Sequence, residues 1–137
     1  MKTIERYSVG AGDRFGRQGA AQIAAFRKAR EKGIDVAIAW NKSNREHLLV
    51  GTGPADQTAA AEQAVKETGW DGPWYVDADH IGMATVDRFA PHCDFFTIDV
   101  ADYIGKSPAP EAIEAFATKH TNLPSARGIP ARLDAAA

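Results

Sequence analysis

The sequence predicts an α/β fold with a parallel sheet, on three observations. Short apolar runs alternate four times with segments of helical period. The first strands are separated by helices of a dozen or more residues, the connection that parallel strands require and that runs right-handed. Polar clusters follow the strands and not the helices: Gly12-Asp13-Arg14, Asn41-Lys42-Ser43-Asn44-Arg45, Asp77-Ala78-Asp79-His80 and Asp99-Val100-Ala101-Asp102. Sites in parallel α/β folds lie at the carboxyl ends of the strands. The asymmetry therefore points to a site at one end of the sheet.

Tyr7-Ser8-Val9 reads as the first strand, running into the glycine-rich loop from Gly10 to Gly16. The glycines allow the backbone to approach a ligand closely, and Arg14 suits an anionic group. The loop is neither GxGxxG nor a phosphate loop, since the closing Lys-Ser/Thr is missing. Residues 17–32 read as a helix with an apolar stripe of Ala20, Ile23, Phe26 and Ala29 and a solvated basic face, stopped by Gly33. Residues 35–40 form a second strand, apolar enough to be covered on both faces. The following cluster from Asn41 to His47 reads as a polar loop. Asn41, Lys42 and the arginines there can grip hydroxyls and a carboxylate. His47 is expected on the surface, and Leu48-Leu49-Val50 as a brief extended piece.

Pro54 at N1 and Asp56 in the first turn open the next helix, which buries Ala61, Ala64, Val65 and Thr68 and ends at Gly69. The third strand is Trp74 to Asp79. Asp77 and Asp79 are two apart and share a face, and Gly82 eases a turn that could bring His80 alongside. Carboxylate and imidazole at one strand end suit a divalent metal or a proton-transfer pair; solvated acids at a strand end have the same composition. Thr85 can N-cap a short helix from Val86 to Ala90. Residues 94–100 form a fourth strand. A last helix starts near Ser107-Pro108 and carries Ile113, Phe116, Ala117 and His120 at helical spacing. His120 there is a last-turn residue and not a ligand.

The totals exclude several classes. A chain of 137 residues suits one domain with a core of ordinary size. A net charge of -2 without a basic stripe argues against nucleic acid. No apolar run approaches the roughly 20 residues of a membrane span. Cys93 is the only cysteine, so a cytoplasmic, reducing setting is expected. Four βα units make half of a TIM-like (β/α) barrel, which takes about 250 residues. Residues 1–105 are expected to form these units, and residues 106–137 a helix and loose tail. A small open sheet is the alternative. An incomplete barrel would expose strands one and four as edges prone to self-association.

Three stretches carry a resemblance: Ser8 to Gly16, Tyr75 to Gly82, and Phe95-Phe96-Thr97-Ile98-Asp99. In order and spacing they resemble the N-terminal part of the tagaturonate epimerase family, over residues 7–105. Asp-Ala-Asp-His is the most specific of these motifs. The resemblance implies a metal-dependent, TIM-barrel-like enzyme that interconverts tagaturonate and fructuronate, keto sugar acids differing at one hydroxyl-bearing carbon. It implies Asp79 as proton acceptor and His80 as a ligand of the divalent cation. Asp13, Arg14, Asn41, Lys42 and Asp77 are then candidate substrate contacts. The family's further metal ligands and its proton donor have no counterpart after Asp102, so the chain alone is expected to be inactive. A non-catalytic sugar-acid or anion-binding module, and another metal-dependent barrel aldolase or isomerase, are the competing readings.

Overall fold

A computed structural model describes residues 2–121. The chain divides into two compact units, one ending at Val100 and one starting at Ala101. The first holds β1 (Ser8–Gly12), α1 (Gly19–Glu31), β2 (Ala37–Ser43), α2 (Asn44–Val50), α3 (Pro54–Thr68), β3 (Trp74–Ile81), α4 (Val86–Phe89) and β4 (Phe95–Ile98). The second holds α5 (Pro110–Lys119). The expected tail falls almost wholly outside the described residues.

The sheet is parallel throughout, in the order β1-β2-β3-β4. Strands added in sequence order by crossovers of one hand keep their helices on one face. This is the α/β arrangement of a partial TIM-like βα repeat; a doubly wound sheet would reverse its strand order. On the helix face, Ile38, Trp40 and Val76 pack against Ile23 of α1 and Ala61 and Ala64 of α3. On the other face Ala37, Ala39 and Tyr75 pack with Phe95. The alternation along β2 therefore assigns Lys42 to the helix side and Asn41 to the opposite side.

The α1–α3 contact depends on a residue without a side chain. A Cβ on Gly19 would lie 2.6 Å from the Ala64 Cβ. The buried stripe of α1 accordingly starts at Gly19 and not at Ala20, which is exposed. Nor is the basic face wholly solvated. Arg27 donates to the carbonyls of Thr68 (2.6 Å) and Gly69 (3.0 Å), closing the C-terminal end of α3 from its neighbour.

Three expectations about residues 41–50 are corrected. β2 runs on through Ser43. The segment containing Leu48-Leu49-Val50 is helical and not extended, because Ser43 and Glu46 form a reciprocal capping box that starts α2, and Gly51, left-handed at φ 67°, stops it. His47 is fully buried and not on the surface, because α2 turns it inward onto Phe89 while Leu48 and Leu49 face outward. The Gly10 and Gly12 backbone is approached from within the chain. Asn41 lies across it, with its amide about 3.0 Å and 3.3 Å from where the two Cβ atoms would sit.

Candidate functional site

β3 delivers the central pair. Its tail follows strand geometry as far as Asp79, where the backbone steps into the left-handed region at His80, φ 53°. The pairing with β4 slips over the same residues, between Ala78 and Ile81. The step breaks the alternation of faces. His80 turns back beside Asp79 and donates from Nδ1 to Asp79 Oδ1 at 2.8 Å. Ile81 drops instead into a small core with Ala78 and Phe89. The bond to Asp79, and then its charge, raise the pKa of the exposed His80 imidazole. With Nδ1–H held by the carboxylate, Nε2 is the atom left to present.

Asp77 lies one step deeper on the same face. It is buried, and its carboxylate accepts from Thr97 N (3.1 Å) and Thr97 Oγ1 (2.8 Å). Desolvation raises its pKa, against the opposing effect of Thr97. The carboxylate ties β3 to β4 beneath the Asp79–His80 pair.

Five of the seven predicted site residues line two hollows; Asn41 and Asp77 line neither. The first, open and about 360 Å³, is lined by Arg14, Ser43, Asn44, Arg45, Glu46, Asp79, His80 and Asp99. It gathers Arg14 with Asp79 and His80. The second, about 100 Å³, lies toward the helix side and contains Asp13 and Lys42, with Thr52, Asp56 and Gln57. Asp13 has both oxygens engaged by its own loop, accepting from Arg17 N (3.1 Å) and Gln18 N (2.6 Å). It occupies the position at the start of α1 where an anion would otherwise bind.

Beside the smaller hollow is a buried polar chain that sequence reasoning missed. Lys42, only 3% exposed, donates to Thr52 Oγ1 at 2.8 Å, and that oxygen lies 3.0 Å from His47 Nδ1. A lysine ammonium can only donate. Thr52 Oγ1 therefore accepts from Lys42, and its contact with His47 Nδ1 runs in either direction according to the imidazole tautomer. His47 Nε2 and Gln57 Oε1 are buried without a hydrogen-bond partner among the described residues; Gln57 is still near enough to favour the charged imidazole. Gln57 Nε2 donates to Trp40 O at 2.8 Å. Burial, followed by the Lys42 charge, lowers the His47 pKa to about 4. Burial also lowers the Lys42 pKa, opposed by Glu46, Asp13 and Asp56. The signal for His47 was available: Ser43-Asn44-Arg45-Glu46 is a capping-box sequence, and a helix there places His47 one turn on, beside Asn44.

Residues 1–128 match the family model described as tagaturonate epimerase. The chain belongs to the tagaturonate epimerase family. No curated protein and no solved structure matches it. Among the described residues no helix is long and apolar enough to cross a membrane.

For a tagaturonate epimerase relative the chemistry of the larger hollow is legible. An imidazole oriented by a carboxylate is the usual arrangement of a metal-binding histidine, and Nε2 is the free position. Yet the described residues contain no group of three or more His, Cys, Asp and Glu that could hold a metal ion, and firm binding takes at least three protein ligands. These residues do not by themselves fit a resident cation, and no step is derived through one. What the hollow does offer is a hydrogen-bonded carboxylate–imidazole pair with Arg14 and Arg45 also on its lining.

Proposed function

We propose that the chain takes part in tagaturonate–fructuronate epimerisation, with the larger hollow as its sugar-acid site. The contact between Asp79 and His80, 2.8 Å, supports this reading most directly. Asp79 is the proton acceptor. Its Oδ1 is held by His80, so Oδ2 is the oxygen that meets substrate, and the imidazole stabilises the carboxylate before transfer. Arg14 supplies charge for the substrate carboxylate. Asp77 fixes the strand pair below, and Asn41 and Lys42 shape the ends of the strands. His80 contributes one ligand, through Nε2, to a divalent-cation site completed by groups other than the described residues. A cytoplasmic setting suits the single free cysteine, Cys93.

The test is fructuronate formation from tagaturonate with added divalent metal. The 137-residue chain is expected to give none above background, because the described residues supply too few ligands. Clear turnover overturns that part of the proposal. If the wild-type chain does turn over, turnover that persists in Asp79→Asn removes Asp79 from its role. The short ligand set also favours a second reading, binding of a sugar acid without chemistry. Calorimetric binding of tagaturonate with no metal present would support it.

A further inference from the structure

We propose that Glu46 is a positioning residue: it aims Arg14 so that the free edge of the guanidinium reads the carboxylate of the sugar acid. The inference rests on the epimerase reading of the larger hollow and assigns the specificity of that site.

The Glu46 carboxylate is fastened to the rigid part of the fold. Oε2 accepts from Ser43 N and Ser43 Oγ, both at 3.1 Å, and Ser43 Oγ in turn accepts from Glu46 N at 3.3 Å. This is the capping box that joins β2 to α2. Oε1 then accepts from Arg14 Nε at 3.1 Å. The bond to the Ser43 backbone, supported by Arg14, holds the Glu46 pKa low against partial burial, so the group stays ionised. Arg14 arrives from the loop after β1 and is half-exposed. An exposed ion pair of this kind ordinarily contributes little to stability. Here one partner is immobilised by three other contacts, so the pair orients Arg14 more than it stabilises the fold.

Which edge is bound decides what remains. A guanidinium has five N–H donors in a planar fork. Glu46 engages Nε, and the terminal nitrogens are left at the hollow that Arg14 lines. That edge matches a carboxylate with two parallel hydrogen bonds. Arg45 stands on the same rim and adds positive charge, whereas Asp79 and Asp99 line the hollow with negative charge. A keto sugar acid is anionic at one end and hydroxylated along its length. Like-charge repulsion keeps its carboxylate off Asp79 and Asp99. The cationic rim takes the acid, and the hydroxyl-bearing carbons come over the Asp79–His80 pair.

The test is an amide-shift NMR titration of the full 137-residue chain with fructuronate and, separately, with fructose, its uncharged counterpart, at low ionic strength. The wild-type chain is expected to prefer the acid by about tenfold or more, the scale of one good charge-assisted pair. Arg14→Ala should abolish most of that preference. Glu46→Gln is the decisive variant, because glutamine also serves at this position of a capping box. Its melting temperature should stay close to that of the wild type while the preference falls several-fold. A preference left unchanged or raised in Glu46→Gln, with fructuronate still bound in the hollow, overturns the inference and leaves the epimerase reading standing. Failure of the wild-type chain to bind either sugar overturns both.

Discussion

Acidification should destabilise this fold through one buried imidazole. His47 is neutral in the folded chain, with a pKa lowered from 6.5 to about 4, first by burial and then by the Lys42 charge. In the unfolded chain it returns to about 6.5. The folded pKa is the lower one, so the unfolded state binds the proton more tightly. The stabilisation is complete above pH 6.5 and is lost as pH falls from there toward 4. A difference of about 2.5 units at 1.36 kcal/mol each gives about 3 kcal/mol, a large part of the 5–15 kcal/mol that holds an ordinary domain together. Urea unfolding at pH 7, 6, 5 and 4 measures the loss, with His47→Gln as the reference because glutamine does not titrate. The difference between the two stability profiles isolates His47 from His80 and Asp77. Both of these have raised folded pKa values. The Asp77 contribution grows as pH falls toward 3.8, opposite in sign to that of His47. The His80 contribution is complete below 6.5 and is lost only above it. The direct readout is the His47 ring resonance. A ring that titrates near 6.5, or parallel profiles for the two proteins, refutes the argument.

Other outcomes follow from single contacts. Gly19→Ala should cost about 1–3 kcal/mol in denaturant melts, since the added methyl meets Ala64 across α1 and α3; an unchanged midpoint would mean that the helices separate freely. Asp79→Asn should lower the pKa of His80 toward its ordinary value, read by NMR, because the first two causes of its rise are the bond to Asp79 and the Asp79 charge. Thr52→Val should destabilise more than Lys42→Met. The first leaves a buried ammonium without its acceptor, a loss of about 3 kcal/mol, whereas the second removes the charge altogether; equal losses would argue that Lys42 reaches water. β1 and β4 are the outer strands of the described sheet, and they expose Val9 and Ile98. The chain should therefore self-associate with concentration in light scattering. A monomer throughout would count against open edges.

Elements governed by local rules were readable from the sequence. Pro54, Asp56 and Gly69 fix the two ends of α3 by backbone chemistry alone, and the structure keeps them. The short apolar runs of β2 and β3, Val36 to Trp40 and Trp74 to Val76, mark buried strands because each is too short for a helix and is preceded by a turn signal, Gly33 and Gly72-Pro73. Asp79 and His80 could be placed at a strand end, and a turn eased by Gly82 offered a way to pair them; that the turn falls on His80 itself, at positive φ, was not legible. Lys42 and His47 read as polar-loop and surface residues, and Thr52 and Gln57 do not stand out, for a related reason. Polar residues in sequence look like solvated loop, and only their mutual hydrogen bonds make burial tolerable. Those bonds span 5 to 17 residues and depend on how α2 and α3 sit over β2.

The left-handed step falls on an imidazole although a glycine stands two residues later. A side chain in that conformation costs about 1 kcal/mol or more, which a glycine would avoid. The molecule thus keeps a small torsional load at the mouth of its sheet, and His80→Gly would relax the chain while emptying the place where the ring meets its carboxylate. Backbone ease and the carboxylate–imidazole contact are set against each other at one torsion angle. A screen that selected only for heat resistance would be drawn to this position, and would discard the ring.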